Sequence, residues 1–297
     1  MLATFLRFFL AIEVALYITL AVGCFGASPA VAALVAVGGV LIVRALIAAL
    51  IYVRAWAHYS PSTRLSAVQA LPMVFAEYAA FIANFVLISP FERQWMGSDR
   101  LKPAADRPPL LLIHGFACSR GAWWWLRRRL EAAGWTVATI NLEPIYSSIE
   151  DYVEPLAKRI DAVLAETGAS QLILVGHSMG GLVARAYLRR FGVQRVARLI
   201  TLATPHAGSE LARIGMGQNA RQMETGSEWL QALARETLMP ETIVIYSSHD
   251  NYVMPQSNLQ LPGATNEAVD GLGHLAMLFS PRVAEALIKA LEKTGSR

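Results

Sequence analysis

Apolar positions along the chain follow two patterns. Over the first ninety residues they run almost unbroken, whereas from residue 110 onward they come in runs of four to seven separated by amphipathic stretches. From Val14 to Val43 no residue is charged, and Gly23, Gly26 and Pro29 fall in the middle of that run. The run is too long for a single bilayer crossing of about 20 residues. It predicts two transmembrane helices, at about 6–24 and 30–53, joined by a tight turn near Gly26–Pro29. A further segment, 71–88 (LPMVFAEYAAFIANFVLI), predicts either a third span or an interfacial helix that packs under the next domain. Pro72 suits its first helical turn, and Glu77 and Asn84, seven apart, share one face.

Two charges interrupt the paired spans. Glu13 and Arg44 lie about 14 and 16 residues from the turn, or roughly 21 and 24 Å at 1.5 Å per residue. Similar depth on adjacent helices predicts an ion pair, since a lone charge at mid-bilayer costs about 2.5–3.5 kcal/mol on insertion scales; snorkelling to the interface is the alternative. The turn carries no Lys or Arg, while Arg7, Arg54 and Arg64 flank the outer ends, which places the turn outside and both ends in the cytoplasm. Whether 71–88 spans decides the side of everything after it. Arg93, Arg100, Lys102 and Arg107 follow that segment and favour the cytoplasm. Residues 1–95 therefore read as an N-terminal membrane region of a multi-pass protein.

MGSDRLKPAADRPP (96–109) is polar and Pro-rich and reads as a linker. Beyond it, in 110–297, the runs at 110–113, 136–142, 172–176, 198–203 and 242–248 predict buried strands. The stretches 121–133, 150–167, 180–191 and 281–293 predict helices. Such alternation implies an α/β fold, with a mostly parallel central sheet flanked by helices on both faces.

At the end of the third run stands Gly176-His177-Ser178-Met179-Gly180, a G-x-S-x-G pattern between a strand and a helix. A turn tight enough to lift Ser178 Oγ above a sheet crowds the backbone two positions either side, so both must be small. The helix that starts beneath it favours developing negative charge. This is the arrangement of a nucleophile elbow.

Three further stretches accompany the elbow: IHGFACSRGAW (113–123), TLATPHAGSE (201–210), and the pair YSSHDNYVMPQS (246–257) and GLGHLAMLFS (271–280). Together, over residues 108–297, they resemble the bacterial lipase branch of the α/β-hydrolase superfamily; residues 1–95 resemble nothing in it. The resemblance implies a triad in the chain order Ser, acid, His. Ser178 is then the nucleophile and His274, in a Gly-rich loop before the last helix, the base. Asp250, directly after a strand, is the acid, with Asp270, where a last short strand should end, as the rival. His177 adjoins Ser178 but leaves the turn on another side. His58 lies near the membrane, His114 is expected to order backbone, His206 to bond a loop, and His249 adjoins the acid. The N–H groups of Met179 and, by resemblance, Phe116 would form the oxyanion hole. Cys118 reads as a buried loop thiol.

Residues 207–240 occupy the place of a lid or cap. Met216, Met223, Trp229, Leu230 and Leu233 there would form either an acyl-binding wall or an ordinary packed helix pair. In the Trp123–Arg129 stretch, helical spacing puts Trp123, Leu126 and Leu130 on a core face and Trp124 with the arginines outside. The chain has 297 residues, 55% of them hydrophobic and 16% charged, and its mean hydropathy of +0.40 exceeds that of a soluble domain. A net charge of +4 spread without stripes gives no support to nucleic-acid binding. Cys24 and Cys118 form no disulfide framework. No metal-ligand cluster or phosphate loop appears, so neither metal nor cofactor is expected. The resemblance therefore implies a serine hydrolase of carboxylic esters, of lipid type, and the N-terminal apolar runs would anchor it in a bacterial inner membrane. A thioesterase, phospholipase A or acyltransferase would use the same triad, and a non-catalytic membrane scaffold is the alternative of another class.

Overall fold

A computed structural model describes residues 1–59, 65–104, 107–235 and 240–292. Arg64, counted above among the flanking charges, lies outside the described residues, as do 105–106 of the linker, 236–239 of the cap region and 293 of the last helix.

The N-terminal run folds into α1 (Leu2–Phe25) and α2 (Pro29–Ala57), both longer than the sequence pattern suggests. Gly26, at φ 58°, closes α1: its N–H bonds back to the Val22 carbonyl, and the next N–H, of Ala27, to that of Ala21. Ser28 then caps α2, with Pro29 in the first turn, where its missing N–H costs nothing. Small side chains set the approach of the two helices: Ala21, Ala32 and Ala36 are buried, and Gly39 leaves room for the Tyr17 ring. Arg44 pairs with both carboxylate oxygens of Glu13. The outer faces remain apolar and open, with Leu34 72% and Leu46 65% exposed.

α3 (Ala67–Ile82) begins with a capping box between Ser66 and Gln69. Pro72 consequently sits inside the helix, not in its first turn. The chain continues through a π-helical turn at Ala83–Ile88 and a 3-10 turn at Ser89–Phe91 into α4 (Glu92–Met96). The third apolar stretch therefore extends from 67 to 96, well past the expected 71–88. Three helical stretches, Leu2–Phe25, Pro29–Ala57 and Ala67–Met96, are long and apolar enough to cross a bilayer.

Within 97–104, Asp99 ties the chain to the following domain. Asp99 accepts from Arg120, Arg127 and Arg159 at 3.2, 3.0 and 2.7 Å and from the Thr139 N–H at 2.8 Å. Arg127 is thereby buried, contrary to the outward face expected for it. Arg128 and Arg129 do face outward, lying over Trp124 and Trp125.

From β1 (Leu110–Ile113) the chain alternates through α5 (Trp124–Ala132), β2 (Val137–Ile140), α6 (Val153–Thr167), β3 (Leu172–His177), α7 (Met179–Phe191) and β4 (Val196–Leu202). Two short helices, α8 (Gln218–Gln222) and α9 (Glu228–Ala234), precede β5 (Glu241–Tyr246), β6 (Thr265–Ala268) and α10 (Pro281–Glu292). The described strands form one parallel sheet, ordered β2-β1-β3-β4-β5-β6. The period of two in β1 sends Leu110 and Leu112 to one core, with Trp123, Leu126 and Leu287, and Leu111 and Ile113 to the other, with Leu156, Ile160 and Leu182. Helices on both faces bury the sheet, so its polar work is left to the loops at the strand ends.

Candidate active site

β3 delivers Ser178 at the turn into α7. Its backbone, at φ 53° and ψ −126°, lies where a non-glycine residue is strained, and its N–H donates to the Leu202 carbonyl at 2.8 Å. The glycines around it are required. A Cβ on Gly176 would lie 2.5 Å from the Gly181 nitrogen, and one on Gly180 would overlap the Ile113 carbonyl. Met179, as the first residue of α7, has an N–H without an intrahelical acceptor. Phe116 follows Gly115, whose own Cβ would come within 2.9 Å of Ser178 Cβ, so the Gly115 backbone lies directly against the serine.

Asp250 and His274, 24 residues apart, meet. Asp250 Oδ2 is 2.8 Å from His274 Nδ1, and Oδ1 accepts from the N–H groups of Tyr252 and Val253 at 2.7 and 2.8 Å. Both residues are buried. Burial by itself lowers the His274 pKa, but the charge and hydrogen bond of Asp250, with a further contribution from Glu77, outweigh it and leave the imidazole above its ordinary value. The Tyr252 ring stacks on the imidazole at 4.8 Å and 19°. Asp270 lies elsewhere, accepting from the Ser248 N–H and hydroxyl at 2.9 and 2.7 Å.

The remaining histidines divide by environment. His177 is buried with its ring 4.8 Å from that of His274, and burial, with the neighbouring imidazole, holds it well below its ordinary pKa. Its Nε2 lies 3.3 Å from the His274 carbonyl, which can only accept, so Nε2 carries the proton. His177 therefore holds the backbone of His274, a contact that sequence order did not suggest. His114 Nε2 accepts from the Leu142 N–H at 2.9 Å, and burial pushes this imidazole down to about 4. His206 contacts Thr201 Oγ1 at 3.0 Å and Arg185 at 3.3 Å. The Cys118 thiol is buried and pushed up to about 12.

Ser178 and His274 both line a cavity of about 300 Å³, and a second lobe of about 250 Å³ shares Ser178, Phe116, Tyr252 and His274 with it. One wall comes from the 207–240 region, where Leu211, Ala212, Ile214, Ala220 and Met223 face the cavity. Leu230 and Leu233 instead join the core, and Trp229 donates to Glu150, so α9 is an ordinary packed helix. The opposite wall was not legible in the sequence: it is Ile47, Leu50, Ile51 and Arg54 of α2, with Phe81 and Phe85 closing the second lobe.

Residues 108–225 match the alpha/beta hydrolase fold family. Among curated proteins the chain is similar to triacylglycerol lipases of Pseudarthrobacter phenanthrenivorans and Burkholderia plantarii. Each is 38% identical over 117 residues, covering 37% of this chain and 36% and 32% of those proteins. The chain thus matches about a third of the length of these relatives. Among solved structures, the mature Bacillus licheniformis lipase BlEst2 superposes with a TM-score of 0.58 at 21% identity, covering 65% of this chain and 96% of that one. Aspergillus fumigatus lipase B gives 0.56 at 20% identity, covering 64% and 53%. Sheet order, elbow and family match agree on an α/β-hydrolase fold, with the family match confined to residues 108–225 and sequence similarity to bacterial triacylglycerol lipases over 117 residues.

Proposed function

We propose that the protein is a membrane-anchored serine hydrolase that cleaves carboxylic esters of lipids. The observation that carries this reading is the shared cavity: Ser178 and His274 open into an apolar chamber one wall of which is α2, a helix whose other faces suit a bilayer. An acyl chain dissolved in the membrane would reach Ser178 along that helix without crossing water.

The chemistry follows from the positions. Ser178 Oγ attacks the ester carbonyl as His274 Nε2 takes its proton, and Asp250 holds Nδ1–H and stabilises the imidazolium without being protonated itself. The N–H groups of Met179 and Phe116 receive the oxyanion. Collapse of the tetrahedral species expels the alcohol, which takes the proton back from His274. Water, deprotonated by His274 in turn, then releases the carboxylic acid and restores Ser178. The related triacylglycerol lipases support ester hydrolysis as the reaction class.

A phospholipase reading has one observation of its own. Arg54 lines the largely apolar cavity, and its Nε is buried without a hydrogen-bond partner among the described residues. A phosphate headgroup would satisfy it. Labelling the full-length protein with a fluorophosphonate probe tests the enzyme reading: wild type should label and Ser178→Ala should not. Labelling that is absent, or indifferent to Ser178, rejects it in favour of a binding scaffold. Turnover of glycerides against phospholipids, in wild type and Arg54→Ala, then separates the two substrate classes.

A further inference from the structure

We propose that Glu77, from the N-terminal helical region, is a positioning residue for His274: its carboxylate clamps the loop that carries the base and adds a second negative charge beside the imidazole. This rests on the reading of Ser178 and His274 as a catalytic pair.

Glu77 lies on α3, almost two hundred residues from the loop it touches, and is only 2% exposed. Its Oε2 accepts from the Leu275 N–H at 3.0 Å and the Ala276 N–H at 2.8 Å, and Oε1 lies 3.1 Å from the same Leu275 N–H. Gly273, on the other side of His274, is shaped to the same group. A Cβ there would sit 2.5 Å from Glu77 Oε2 and press on the carboxylate carbon as well. His274 is therefore bracketed by two residues fitted to one carboxylate. The other anchors of its backbone, Asn251 Oδ1 on the His274 N–H at 3.0 Å and His177 on its carbonyl, come from the hydrolase domain itself.

No cation neutralises Glu77 among the described residues. A buried carboxylate without a counter-ion is a costly way to dock a helix. What the carboxylate provides beyond docking is directional bonding to two N–H groups and a charge near the ring that becomes cationic as Ser178 loses its proton. The groups facing the imidazole are Asp250, Glu77, His177, Tyr252 and Ser178, with Tyr52 and Arg54 on the adjoining α2. Of these, Asp250 and Glu77 raise its proton affinity. The membrane region would then be part of the catalytic apparatus and not merely its tether.

The test uses the full chain in lipid nanodiscs, with competent sites counted by fluorophosphonate labelling and nitrophenyl-ester kinetics measured across pH. Glu77→Gln keeps the shape and removes the charge. Expected is a fall in kcat per labelled site on the order of tenfold, KM within about twofold, and an acid limb of kcat/KM displaced downward by about half a pH unit. Glu77→Asp, which keeps the charge, should hold the limb at the wild-type position even where kcat drops. If kcat per site and the limb in Glu77→Gln match wild type, the proposal is overturned whatever happens to Tm, because docking alone moves only stability. Should Glu77→Gln yield no labelled sites, Gly273→Ala, which displaces the carboxylate, carries the same expectation and the same refutation. Absence of Ser178-dependent labelling in wild type would instead strike the catalytic reading beneath it.

Discussion

The guanidinium of Arg44 grips both carboxylate oxygens of Glu13 between two helices whose outer faces are almost wholly apolar. Their partners are few: Tyr17 adds one hydrogen bond to Glu13 at 3.1 Å. In a bilayer, removing either charge leaves the other unpaired at a cost of about 2.5–3.5 kcal/mol on insertion scales. Reversing either charge singly, Glu13→Arg or Arg44→Glu, should therefore cut correctly inserted protein severalfold in a glycosylation- or protease-mapping assay. The double reversal should restore most of it. Equal loss in all three variants would show that the pair contributes nothing to insertion.

Asp250 governs the second prediction. In the proposed mechanism His274 must be neutral to take the serine proton, so activity should fall as pH drops through its raised pKa. Asp250→Asn removes both the charge and the acceptor that select the Nδ1–H tautomer. It should lower kcat by about 10⁴-fold and move the acid limb of kcat/KM to lower pH. Asp270→Asn should leave kcat within about twofold of wild type, as for surface substitutions generally, because Asp270 bonds Ser248 and is half-exposed. A larger loss in Asp270→Asn than in Asp250→Asn would exchange their roles.

Much of this arrangement was legible in the sequence because it depends on short-range rules. Buried parallel strands read as apolar runs, the elbow as small residues around Ser178, and the depth of Glu13 and Arg44 as a count of residues from a turn. What escaped depends on contacts between distant segments. Nothing in the α2 pattern distinguishes Ile51, which lines the cavity, from Leu46, which stays exposed, because both are apolar residues on an apolar helix. Glu77 was visible as an odd charge in 71–88, yet the N–H groups that donate to it lie almost two hundred residues away. Pro72 was misplaced because a capping box at Ser66 starts the helix about one turn earlier. Arg127 was misplaced because its partner, Asp99, sits in a stretch whose composition reads as linker.

Three buried histidines should make the fold acid-sensitive. His114 is pushed down to about 4, and His177 and His206 well below their ordinary range, burial being the main cause in each. A depressed base contributes stability that is present above its unfolded pKa, near 6.5, and lost as pH falls toward the folded value. His274 has the opposite sign, its contribution being present at low pH and lost as pH rises through its raised pKa. Below pH 6.5 His274 is protonated in both states and offsets nothing, so the three depressed imidazoles give a loss on acidification of about 1.4 kcal/mol per pH unit for each. The denaturant midpoint should therefore fall steadily from pH 6.5 to 5, and His114→Gln should flatten that slope. A midpoint constant over this range would contradict the assignment of neutral, buried imidazoles.

Under the proposed function, the wall that α2 gives the cavity should make this N-terminal helix a determinant of acyl-chain length. Ile47, Leu50 and Ile51 face the chamber across from Leu211, Ile214 and Met223, while Ser178 and His274 lie at its polar end. A chamber of about 300 Å³ lies at the lower end of the range for small-ligand sites, so one added indole would occupy much of it. Ile51→Trp places bulk where both lobes meet, next to Phe116 and Tyr252 but outside the hydrogen bonds that hold His274. Acetyl esters, whose acyl part needs little of the chamber, should lose no more than about threefold in kcat/KM. Long-chain esters should lose at least tenfold, the scale at which a hydrophobic pocket discriminates by size. Leu46→Trp, on the exposed side of the same helix, should change neither. Parallel kinetics on acetyl and long-chain nitrophenyl esters in nanodiscs decide the matter. A uniform loss across chain lengths would mean that α2 braces the site without touching the acyl chain.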